Sequence, residues 1–142
     1  MARGVVLSSE RRTFIQRETG VCVIQLIDAA CKNDNAYYNY EQFIGESLIF
    51  YSTRTEIRQI YQVMTDSGKI VQLTDAKAGV AGFAVAAALG VVYYAQKDSV
   101  RVLDVETLDE ETVANRLPGC GPLLLEDVSS CGRYLVLSCR PE

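Results

Sequence analysis

The chain has 142 residues, of which 49% are apolar and 23% charged, enough for one domain with a core and too apolar for disorder. Its formal net charge of −4 argues against nucleic acid as a partner. Arg3, Arg11, Arg12 and Arg17 lie near the start but are spread out, as in a solvated stretch rather than a dense basic arm.

Residues 1–16 read as an N-terminal arm or strand. They contain no apolar run of signal-peptide length, so the sequence predicts a cytoplasmic chain. Glu18-Thr19-Gly20 then turns into an apolar strand over Val21–Leu26. A polar segment, Asp28–Ala36, precedes Tyr37-Tyr38-Asn39-Tyr40, where core or channel-edge packing is expected, with stacking on a sugar ring as the alternative.

Gly45 leads into Leu48–Ser52, and Gln59–Val63 alternates polar and apolar residues as a half-buried strand does. Thr65-Asp66-Ser67-Gly68 has the chemistry of a hairpin turn and feeds Lys69–Thr74. Gly79–Ala88, rich in alanine, is expected to be a strand, with a helix as the rival by propensity. Val91–Ala95 follows Gly90, Arg101–Val105 alternates, and Glu106–Asp109 turns into Glu110–Val113. The stretch Val80–Tyr94 is the longest apolar run, but glycines interrupt it and it is shorter than the ~18–20 residues of a membrane span, so no membrane partner is expected. Leu123–Val128 and Tyr134–Ser138 complete the series, the latter after Gly132.

These elements repeat. Leu48, Val91 and Tyr134 begin equivalent strands 43 residues apart, each shortly after a glycine. Gln59–Val63 and Arg101–Val105 repeat at 42 residues. Four short strands per roughly 40–45 residues is the signature of a β-propeller blade. The expected fold is therefore all-β: an incomplete propeller of about three four-stranded blades with a period near 43 residues, in one domain. Residues 17–74 form the first blade region, 75–117 the second and 118–142 a truncated third. Gly79–Ala88 takes the innermost slot, where blades converge and small residues are needed.

Phe50-Tyr51-Ser52-Thr53-Arg54, Gln59-Ile60-Tyr61, Ser67-Gly68 and Gln72-Leu73-Thr74-Asp75 resemble the TolB-type propeller repeat. Thr19-Gly20 with Gln25-Leu26, the tyrosines at 37–40, Val91–Tyr94 and Leu103–Glu111 are similar to the N-terminal part of oligogalacturonate lyases. That resemblance covers roughly residues 17–138. It implies a seven-bladed propeller that cleaves pectin fragments by β-elimination. In that reaction a base takes the proton α to a uronate carboxylate, and a divalent metal such as manganese, held largely by histidines, neutralises the enolate. This chain has no histidine. The resemblance therefore places the metal ligands in later blades, so this chain alone is expected to be inactive and to hold no cofactor. The alternative is a non-catalytic propeller module for binding or assembly. The Ser-Pro-Asp-Gly turn of such repeats lacks its Asp here, so the turn's capping hydrogen bonds are expected to be lost.

No phosphate loop, nucleophile elbow or zinc-protease motif occurs. The carboxylate run Asp109-Glu110-Glu111 reads as a solvated face. The five cysteines, an odd number without a two-residue gap, read as buried, reduced thiols. Propeller connectivity puts the loops 28–36, 53–58, 75–79 and 96–98 on one rim. Asn33, Asp34, Asn35, Arg54, Lys77 and Lys97 are thus the candidate substrate-binding residues, with Arg54 and Lys77 suited to a carboxylate such as that of an oligogalacturonide. Two open blade faces would leave apolar surface exposed, which predicts self-association.

Overall fold

The computed structural model describes residues 2–37 and 39–141, so Tyr38 lies outside the described residues. In chain order the strands are β1 (Val6–Leu7), β2 (Arg12–Ile15), β3 (Cys22–Gln25), β4 (Asn33–Asp34), β5 (Phe43–Ile44), β6 (Ser47–Thr55) and β7 (Ile57–Met64). They continue with β8 (Ile70–Gln72), β9 (Gly82–Ala86), β10 (Val91–Gln96), β11 (Ser99–Asp104), β12 (Glu110–Asn115), β13 (Leu124–Val128) and β14 (Leu135–Ser138). Among the described residues there is no α-helix, and a single 3-10 turn spans Ala87–Leu89.

All pairing between these strands is antiparallel. The first sheet runs β1-β8-β7-β6-β4, with β5 also on β6; the second runs β12-β11-β10-β9; β13 pairs with β14, and β2 with β3. The second sheet is a complete four-stranded blade, and the first is a blade extended at its outer edge by β1. The strands at 47–55, 91–96 and 135–138 occupy the same slot, as their spacing predicts. Gly45, Gly90 and Gly132, which precede them, have φ of 55°, 68° and 70°, the left-handed geometry that an L side chain resists. Residues 22–25, within the stretch that the sequence reads as the first blade region, pair with β2 in a hairpin.

The alanine-rich stretch is a strand through Ala86 and then a tight turn, and its small residues serve packing between blades. A Cβ on Gly82 would lie 2.8 Å from the backbone oxygen of Leu125, so only glycine admits β13 at this distance. Between the first two blades, Ile49, Tyr51, Ile60 and Leu73 meet Phe83, Val85, Val92, Tyr94 and Leu103. Between the second blade and β13–β14, Ala84, Ala95 and Val100 meet Leu123 and Leu125. Alternation along β6 sends Ile49 and Tyr51 to the second blade and Phe50 to the opposite face, where Tyr61, Val63 and Ile70 join it.

Polar side chains organise the crossing from the first blade to the second. Gln59 Oε1 accepts from the Thr74 hydroxyl at 2.8 Å and from Ala76 N at 2.9 Å, and its Nε2 donates to Ala76 O at 2.9 Å. Thr74 Oγ1 in turn accepts from Ile60 N at 2.9 Å. Gln72 Nε2 donates to Thr74 O at 2.7 Å, while Tyr61 OH donates to Gln72 Oε1 at 3.3 Å. The Gln-Ile-Tyr and Gln-Leu-Thr stretches are thus one buried network.

Three sequence expectations are corrected. Glu110 is no solvated carboxylate: its side chain is 6% exposed and ion-paired to both Arg3 and Arg101. No cysteine is fully buried; Cys22 and Cys131 are exposed and the other three partly so. The turn before β14 keeps its caps without an Asp, because Ser129 Oγ accepts from Tyr134 N at 3.0 Å and Ser129 O from Gly132 N at 2.8 Å.

Gln59→Leu strands the Thr74 hydroxyl proton and the Ala76 N–H in a dry site, while Ala76 O keeps the Gly79 N–H at 2.9 Å. Each unsatisfied group costs about 1–3 kcal/mol. The expected loss is about 2 kcal/mol or more, seen as a lower urea midpoint at unchanged slope.

Candidate functional site

The rim that carries the candidate residues is formed where the β6–β7 turn, the 75–81 crossing, the β10–β11 turn and the segment before β13 converge. Val80 N donates to Arg58 O at 3.0 Å and ties the crossing to β7, and Leu123 N donates to Lys97 O at 3.2 Å and ties the segment before β13 to the β10–β11 turn. Two clefts open there and share Arg58. One, of about 330 Å³, is lined by Ile57, Arg58, Ala78–Ala81, Lys97 and Pro122. The other, of about 210 Å³, is lined by Arg58 with Asn35, Tyr37, Tyr40, Tyr51 and Glu126 among others.

Arg58 is positioned by stacking. Its guanidinium carbon lies 3.6 Å from the centroid of the Tyr51 ring, which packs edge-on against Phe83 at 4.5 Å. Burial pushes the Tyr51 phenol up to about 12, against the opposing pull of the Arg58 charge. The Arg58 head group is exposed, and among the described residues no carboxylate forms a salt bridge with it. A cation fixed on an aromatic face between two concave surfaces can take a carboxylate in a forked pair of hydrogen bonds. Sequence reasoning missed this residue. The signal was available, since pairing Tyr51 with Ile60 sets Arg58 diagonally across from Tyr51.

Of the six residues singled out by sequence, Asn35 and Lys97 line these clefts, one on each side of Arg58. Lys97 sits in a left-handed turn position with φ 48° and is 3.8 Å from Asp98. Lys77 is exposed in the turn after β8 and lines neither cleft. Asp34 pairs with Lys32 at 3.3 Å on the surface. Asn33 spends its amide on its own loop, donating to Ala29 O at 3.2 Å and Cys31 O at 3.0 Å.

Arg54 faces inward. Its side chain is 9% exposed, pairs with Glu10 at 2.9 Å, donates to Ser52 Oγ at 3.0 Å and lies 5.2 Å from the Tyr61 ring centroid. Glu10 also accepts from Asp28 N and Ala29 N at 2.8 and 2.9 Å, so this carboxylate joins the N-terminal segment to the 28–29 loop and to β6. Burial raises the Glu10 carboxyl, but the Asp28 N–H, the Arg54 guanidinium and the Ala29 N–H together outweigh it and hold the group below its ordinary value.

A third hollow, of about 460 Å³, lies on the inner side of the second blade against Ala84–Ala88. Tyr40, Glu41, Asp127 and Ser130 stand around it. Glu41 is committed to its own turn, accepting from Gln42 N and Phe43 N at 3.0 Å each.

The sheets together define an all-β chain built as part of a propeller, with about two blades and two half-blades in the described residues. Its structure is similar to that of an oligogalacturonate lyase from Vibrio parahaemolyticus, with a TM-score of 0.73 and 21% identity over 84% of this chain and 33% of that one. It is also similar to an oligogalacturonate lyase in complex with manganese, with a TM-score of 0.76 and 20% identity over 85% of this chain and 33% of that one. The chain thus spans about a third of the length of these enzymes and resembles that part of them. No family model and no curated protein matches the sequence.

The residues here do not fit the metal named with the second enzyme. The sequence has no histidine, and among the described residues no three Cys, Asp or Glu side chains gather into a set that could hold an ion.

Because the Glu10 carboxyl is held low in the folded state, it contributes stability that is complete above its unfolded value of about 4.3 and is lost as pH falls through the lower folded value. Acid unfolding followed from pH 6 downward should therefore begin at higher pH in Glu10→Gln than in the parent chain, with the two curves parallel at neutral pH.

Proposed function

We propose that this chain is an oligogalacturonate-lyase-like propeller part whose rim binds the carboxylates of short galacturonides, in the breakdown of pectin in the cytoplasm. Arg58 supports this reading most directly: an exposed guanidinium held on Tyr51 between two clefts, with no salt-bridge partner among the described residues, on a fold similar to that of such lyases. Lys97 offers a second positive charge along the rim, and Tyr37 and Tyr40 offer faces on which a sugar ring can stack. The elimination itself is assigned to parts of the fold that these residues do not contain.

The test is calorimetric titration with a galacturonate trimer, alongside an assay for unsaturated uronate with manganese(II) added. The parent chain should bind and release no unsaturated product. Arg58→Ala should weaken binding by roughly tenfold or more, the equivalent of one charge-assisted pair, while Lys77→Ala leaves it within twofold. Unchanged affinity in Arg58→Ala overturns the assignment.

The non-catalytic reading, a module for assembly, has its own observation. The hairpin β2–β3 exposes Phe14, Ile15, Val21 and Ile24, and β13–β14 exposes Leu124, Tyr134 and Val136. Each is a pair of strands where a blade has four, so the hairpin of one copy can supply the outer half that another copy's β13–β14 lacks. Light scattering at micromolar concentration should then give a mass above the 15.7 kDa of one chain, and a monomer mass excludes it.

A further inference from the structure

The segment ahead of β13 and the segment after β14 run side by side. Cys120 forms an antiparallel bridge with Pro141, and Gly121 N donates to Arg140 O at 2.7 Å. In an antiparallel pair, residues two apart on one strand point to the same face, and diagonal neighbours across the pair lie within side-chain reach. Cys139 therefore shares the face of Pro141 and sits diagonally across from Cys120. The Cys120 thiol beside it raises the Cys139 thiol above its ordinary value. Cys139 also packs on the core between the second blade and β13–β14, so it has little freedom to turn away.

The other cysteines are placed differently. Cys31 is engaged with Asn33 Oδ1 at 3.6 Å and Ser52 Oγ at 3.4 Å, while Cys22 and Cys131 are exposed. The Cys131 thiol is held below its ordinary value by the Ser129 hydroxyl and then by the Arg133 N–H.

We propose that Cys120 and Cys139 are a dithiol site that a low-molecular-weight disulfide such as oxidised glutathione converts to an intramolecular disulfide. One protein thiolate attacks the glutathione disulfide, forming a mixed disulfide and expelling one glutathione thiolate. The second protein thiolate then attacks the protein sulfur of that mixed disulfide and expels the second glutathione. Two protein S–H bonds are lost, their protons pass to the two glutathione thiolates, and one S–S bond joins the chain.

The bond closes a loop that contains all of β13 and β14, the sheet with only two strands. A crosslink of that span restricts the unfolded chain and stabilises the folded one. It also anchors Gly121 and Pro122, and Pro122 lines the rim cleft that Lys97 also lines. Oxidation therefore stiffens one side of that cleft without touching Arg58.

The full chain, equilibrated with graded mixtures of reduced and oxidised glutathione, is blocked with N-ethylmaleimide, digested without reductant and examined by mass spectrometry. A linked peptide joining Cys120 to Cys139 is expected, under conditions where Cys22 and Cys131 carry only glutathione. The oxidised chain should melt on the order of 5–10 °C higher than the reduced one. Dithiothreitol should reverse that gain, and Cys120→Ser should lack it while matching the reduced parent in melting temperature. Cys131→Ser should retain the full gain, which separates the pair from an exposed thiol elsewhere in the chain. Recovery of Cys120 and Cys139 only as free thiols or separate glutathione adducts from the folded chain overturns the proposal. So does an equal thermal gain in Cys120→Ser.

Discussion

Where the chain leaves the first blade for the second, the side-chain amide of Gln59 takes the place of a backbone. It accepts from an N–H and donates to the C=O of Ala76, while its oxygen also receives the Thr74 hydroxyl. Without that amide the Ala76 N–H and the Thr74 hydroxyl proton would enter the packed interface between blades with nothing to bond. With it, the crossing lies flat, and Val80 and Phe83 enter the same core as Ile49 and Ile60. The placement of the rim follows, because Arg58 is the residue immediately before Gln59 and its carbonyl receives Val80 N. The site and the blade junction are therefore fixed by neighbouring residues on one strand.

Much of the architecture was legible because blade structure is local. Glycines that need φ > 0, alternation along strands and small residues on the inner strand are features of short windows, and they gave the repeat and the order of strands. The pairing of β3 with β2 was not legible in the same way. A strand's partner is set by tertiary contacts, and the apolar run Val21–Leu26 reads as a strand whichever neighbour it joins.

The charged residues were less legible. Arg54 looks like a rim cation until Glu10, 44 positions away, is placed against it, and Glu110 looks solvated until Arg3 arrives from 107 positions away. Such partners cannot be inferred from spacing, because no periodicity links them. Arg58 was within reach of the sequence once the β6–β7 register was set, since its stacking on Tyr51 is a neighbouring-strand contact. The cysteines were misjudged because their apolar character was weighed and their position near loops and strand ends was not.

The pairing of Arg3 and Arg101 on Glu110 brings a segment from the beginning of the chain onto the outer strand of the second blade, while β1 in the same segment lies along β8 of the first. The two halves of that attachment have different requirements: β1 needs only the outer strand of the first blade, whereas Arg3 needs the outer strand of the second, 107 positions along the chain. Contacts so distant in sequence close slowly, so the clasp between Arg3 and Glu110 can seat only after both blades have formed.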